Sequence, residues 1–141
     1  MEDKFDLNRF LDAQSIKYVK ALNEIKAGEK ITHWMWYIFP QYKDLGISST
    51  SIIYAIASVE EAKEYFKHPI LGVRLVEITK AFLSLENKSA YEILDRPDDM
   101  KMKSCMTLFD AIQTETDVFS RVLQKYYSSK KCDKTILMLN I

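Results

Sequence analysis

Glycine and proline are scarce in this chain, three of each among 141 residues, and cysteine is scarcer still, with Cys105 and Cys132 alone. So little Gly and Pro excludes collagen-like repeats, a disulfide-stapled loop scaffold and a low-complexity disordered chain. No apolar run approaches the ~20 residues that a membrane-crossing helix needs. The longest, Trp34 to Pro40, has seven. Charge of one sign is also missing: twenty Lys plus Arg balance twenty Asp plus Glu. Nothing global therefore steers the chain to nucleic acid or to anionic lipid, and neither partner is expected. No apolar signal-peptide core follows Met1-Glu2-Asp3-Lys4, and the cysteines lack CxxC spacing, so reduced thiols and a cytoplasmic location are expected.

What the chain does have is hydrophobic residue, 48% of the total. Its length suits one core, and no repeat or Gly/Ser linker interrupts it, so residues 1–141 are expected to form a single domain. Leu7, Leu11, Gln14, Tyr18, Ala21 and Ile25 fall on alternating steps of four and three, one face of a helix. Asp6 reads as its N-cap, Phe5 and Phe10 as a hydrophobic staple, and Gly28 as its stop. Gln14 is an amide in an apolar seam. It is expected to face inward and hold the aromatic segment by hydrogen bonds, and its replacement by leucine is expected to cost little stability.

Leu71, Leu75, Ile78, Phe82 and Leu85 form a second stripe, with Pro69 at the favoured first helical position. Ser58-Val59-Glu60-Glu61 has capping-box spacing and opens a helix through Phe66. Asp98, Asp117 and Asp133 read as N-caps of three later helices. The apolar face of the first of these carries Met102, Cys105, Phe109 and Ile112. The run Thr32 to Phe39 is too short for periodicity to separate helix from strand, and residues 41–49 read as a loop turning at Gly46. The expected fold is all-α, a compact bundle of about seven short and medium helices.

Several segments carry a resemblance. Asp6-Leu7-Asn8-Arg9-Phe10 with Ala13-Gln14, the run His33 to Gln41 and Leu45-Gly46-Ile47-Ser48 are joined by Tyr54-Ala55-Ile56, His68 to Leu75, Lys101 to Phe109 and Asp133 to Leu137. In this order they resemble the domain of unknown function 1810 family. That resemblance implies a compact all-helical fold and no particular activity. Lys103 stands where the family pattern suggests Arg, which removes a guanidinium fork for a bidentate anion contact. In helical character and residue types alone, the chain is also faintly similar to small domains that handle NAD-derived or ADP-ribose-type ligands.

Two constellations carry candidate chemistry. In the first, Trp34 or Trp36 would stack a planar ring while Gln14, His33 and Gln41 hydrogen-bond its edge; alternatively the tryptophans fill the core. On a helix the two indoles point to different faces, whereas in an extended segment they share one. In the second, Arg74 and Lys101, with His68, Lys103, Ser104 and Thr107, would receive an anion; against this, Asp98 and Asp99 occupy the helix start, and Lys101 could simply pair with Asp98. His33, Trp36 and Arg74 are expected to surround one cavity. Cys105 reads as an inert buried thiol, and two distant histidines make no zinc motif, so neither a metal nor a cofactor is expected. The expected function is binding of a small anionic or nucleotide-like ligand by Gln14, His33, Trp34, Trp36, Gln41, Arg74 and Lys101. Whether a reaction follows stays open, with His33 the best candidate acid or base. The alternative is a non-catalytic module that binds another protein through an exposed aromatic patch.

Overall fold

The computed structural model describes residues 3–43, 45 and 48–140, and among them it holds nine helices and no strand. They are α1 (Asn8–Lys26), α2 (Met35–Ile38), α3 (Ser49–Ile53), α4 (Val59–Lys67), α5 (Leu71–Leu83), α6 (Ala90–Leu94), α7 (Asp98–Ala111), α8 (Val118–Tyr127) and α9 (Asp133–Leu139). The all-α expectation holds. The count exceeds seven because very short helices escape a periodicity search. One of them, α6, had a readable signal: Ser89 accepts from Glu92 N (3.1 Å) and Glu92 accepts from Ser89 N (2.9 Å), a complete capping box.

The first stripe folds as its spacing dictates, burying Phe10, Gln14, Tyr18, Ala21 and Ile25, together with Glu24. Its cap differs from the expected one. Asp6 has a positive φ of 52°, and the first free amides, of Leu7 and Asn8, go to the Asp3 carboxylate at 2.7 and 2.9 Å. At the other end Gly28 takes φ 78°, the left-handed conformation that ends helices at low cost in glycine. The turn expected at Gly46 lies outside the described residues.

Helix α5 packs on α1, α4 and α8, and α7 packs on α4, α6, α8 and α9. The turn between α4 and α5 is so tight that a Cβ on Gly72 would sit 1.9 Å from the Phe66 carbonyl oxygen. Pro69 lies two residues ahead of α5, not at its first position, and His68 does the capping, its Nδ1 accepting from Ile70 N (3.1 Å) and Leu71 N (3.2 Å). Along α7 every residue from Ser104 to Phe109 is buried, so this helix runs through the core instead of lying on it. Asp98 and Asp133 are the first helical residues of α7 and α9, and Asp117 makes no side-chain cap bond.

Arg9 joins the chain's beginning to α3 and α4. All five of its N–H donors are used, on the carbonyls of Phe5, Asp6, Ile53 and Ala55 and on the Glu61 carboxylate at 2.7 Å. This explains why the Ser58 box is only half formed. Ser58 accepts from Glu61 N (3.0 Å), while the Glu61 carboxylate is drawn to Arg9 and to Ala57 N.

Candidate functional site

The site begins with Glu24, a carboxylate on the apolar face of α1. Its two oxygens accept from Ile31 N (2.7 Å), Thr32 N (3.0 Å), Thr32 Oγ1 (2.7 Å) and Trp34 Nε1 (3.0 Å). Burial alone would raise its pKa, but these donors outweigh it and bring the group down to about 2. One ionised side chain thus folds the segment after α1 back over the helix and seats Trp34, fully buried, in the core.

Beyond Trp34 the chain turns into α2, and helical geometry sends Trp36 to the other side. The ambiguous run is therefore helical at its centre, and the two indoles part company. Trp36 is half-buried and lines a hollow of about 300 Å³. Lys30, Ile31, His33 and Met35 share its near wall, and Leu94 to Asp98 with Lys101 form the far wall.

Charge is arranged closely there. Lys30 Nζ lies 2.8 Å from Asp98 Oδ2 with only 6% of its side chain exposed, and 5.0 Å from the Trp34 ring. Lys101 Nζ lies 3.6 Å from Asp98 Oδ1 and 5.0 Å from the Trp36 ring. Asp98 at the start of α7 is thus held between two lysines. Arg96 reaches Asp99 at 3.1 Å. Lys30, Arg96 and Lys101 stand against Asp95, Asp98 and Asp99, so the charges balance in number, with Lys30 and Lys101 sharing the single carboxylate of Asp98. Two features carry a cost. Asp95 sits at φ 65°, ψ 174°, a region nearly confined to glycine. The indole N–H of Trp36 is buried and has no partner among the described residues.

Of the residues chosen from the sequence, His33, Trp36 and Lys101 come together at this hollow. Gln41 lies on an adjoining hollow that Lys101 also borders, and Trp34 stands behind the wall in the core. Gln14 is buried as expected and does hold the aromatic segment, donating to Tyr37 O (2.7 Å) and to Tyr65 Oη (3.0 Å). Because both acceptors are buried, leucine there would strand them, which corrects the expectation of a small stability cost.

Arg74 is the main departure. It does not join His33 and Trp36; its guanidinium donates to Gln14 Oε1 at 3.4 Å and lies over the Tyr18 ring at 5.2 Å. The reason is packing: α5 lies on α1, and both Gln14 and Tyr18 are α1 residues. The other expected anion ligands also scatter. His68 caps α5, Thr107 donates to Lys103 O and Ser104 to Met100 O. Sequence reasoning missed Lys30, Arg96 and Glu24. Only Glu24 left a signal, a charge three residues after Ala21 on the apolar stripe.

Residues 4–139 match the family described as "Protein of unknown function (DUF1810)". The chain is similar over 99% of its length to the crystal structure of the conserved hypothetical protein Rv1873 from Mycobacterium tuberculosis. The two share 40% identity at a TM-score of 0.97, and 99% of that chain is covered. No curated protein is similar enough to match.

Proposed function

The chain belongs to the DUF1810 family, whose description assigns no activity, and we propose from its own geometry that it binds a small planar anion, nucleotide-like in chemistry, in the hollow beside Trp36. The observation that carries this reading is the half-buried Trp36 ring on a hollow where Lys30 and Lys101 share one carboxylate, that of Asp98. The Trp36 face supplies a stacking surface, and Lys101 supplies charge to a phosphate. Gln14 and Arg74 serve as scaffold behind the aromatic segment, and Gln41 reaches only a ligand long enough to pass Lys101. Any proton transfer falls to His33, which is exposed at the rim.

The test is thermal unfolding with AMP and GMP against adenosine and guanosine. A nucleotide at a hundred times its dissociation constant adds about 2.7 kcal/mol. Lys101→Ala is expected to remove the shift for the nucleotides and to spare any shift given by the nucleosides. No shift with any of the four would overturn the reading.

A second reading, the protein-binding module, rests on exposed apolar residues and not on aromatics. Ile16, Val19 and Ile31 are 78%, 68% and 70% exposed on the outer side of α1 and the segment after it. It gains if all four probes fail and the chain self-associates or binds a partner in solution.

A further inference from the structure

We propose that Cys132 is a thiol–disulfide exchange site for a small disulfide bearing carboxylates, of the glutathione disulfide class, seated in the hollow beside α7 and α9. This goes beyond the nucleotide reading. The hollow is a second one, of about 520 Å³, and shares only Pro97 and Lys101 with the first. Cys132 lines it with Lys101 and Lys134, and among the described residues no carboxylate does. Lys134 has no acid partner among the described residues, and Lys101 shares Asp98 with Lys30, so the wall favours a negatively charged occupant.

The sulfur itself is prepared. Cys132 is half-buried, and its backbone is pinned by donation of its N–H to Thr107 Oγ1 at 2.9 Å. Ser104 Oγ shares one proton between Met100 O (3.2 Å) and the Cys132 sulfur (3.3 Å). Thr135, fully buried, has a hydroxyl with no hydrogen-bond partner among the described residues, and it lies beside the same sulfur. A neutral thiol leaves this donor idle; a thiolate takes it up and draws the Ser104 proton as well. Burial alone would raise the thiol's pKa, yet these hydroxyls and the amides at the start of α9 hold it below the ordinary value. Cys105 is the internal contrast, fully buried and pushed well up by burial alone.

The step balances simply. Cys132 gives its proton to solvent, and the thiolate attacks one sulfur of the disulfide. A bond forms between Cys132 Sγ and that sulfur as the original S–S bond breaks. The other half leaves as a thiolate and takes a proton from solvent. The small disulfide is the oxidant, and no further electron acceptor is required.

The experiment exposes the full chain to glutathione disulfide, which is anionic, or cystamine, which is cationic, and maps adducts by peptide mass. Each rate is divided by that of the urea-unfolded chain, which removes the intrinsic reactivity of the reagent. The expected result is adduct on Cys132 and none on Cys105, with the normalised rate about three- to tenfold higher for glutathione disulfide at low salt. Lys134→Glu is expected to reverse that order, and Thr135→Val to slow exchange with both reagents. Lys134 is exposed, so its arm stands even if Thr135→Val fails to fold. Equal normalised rates for the two reagents, or adduct on Cys105 in the folded chain, would overturn the proposal.

Discussion

Replacing Glu24 by glutamine tests how the segment leading to Trp36 is held. The amide can keep the geometry, its oxygen accepting from Ile31, Thr32 and Trp34 while its NH2 donates to Thr32 Oγ1, so the variant removes charge and little else. The carboxyl's pKa falls from its ordinary 4.5 to about 2 in the folded chain. At 1.36 kcal/mol per unit that is about 3 kcal/mol of stability. The group is depressed in the folded state, so its contribution is full above pH ~5 and is lost as pH falls through 4.5 toward 2. Roughly 1.5 kcal/mol of it remains at pH 3.

Urea denaturation of wild type and Glu24→Gln therefore has a specific expected outcome. The variant is less stable by about 2–3 kcal/mol at pH 7, and the gap narrows by about half at pH 3, since the unfolded wild type has then taken up the proton while the folded carboxylate still resists it. Other carboxylates titrate in both proteins and cancel in the difference. A gap below ~1 kcal/mol at neutral pH, or one that does not change with pH, would refute the assignment of Glu24 as the ionised anchor.

The other stability predictions use the same assay. Gln14→Leu leaves Tyr65 Oη and Tyr37 O buried without their donor and is expected to cost about 2–3 kcal/mol; adding Tyr65→Phe should return about 1 kcal/mol of it. Independent additive losses in that cycle would show the two side chains uncoupled. Lys30→Met strands Asp98 and is expected to cost about 3 kcal/mol, with Lys101 limiting the damage, whereas Lys30→Met with Asp98→Leu should recover most of it. Equal losses in the single and double variants would count against a buried pair.

By itself the sequence determined the elements whose signals are local. The stripes of α1 and α5 follow from spacing, because a face that recurs every 3.6 residues can be buried only as a helix. Gly28 ends α1 because a positive φ is cheap there, and Gln14 turns inward because its neighbours on the stripe do. Tertiary structure decided where polar groups meet. Arg74 joined Gln14 and Tyr18 because α5 packs on α1, and Lys30 met Asp98 because the chain after α1 folds toward the start of α7. No spacing records that encounter, since sixty-eight positions separate the two residues. The split of the tryptophans combined both levels: helical geometry set them on different faces, but only the Glu24 anchor decided that Trp34 enters the core and Trp36 lines the hollow.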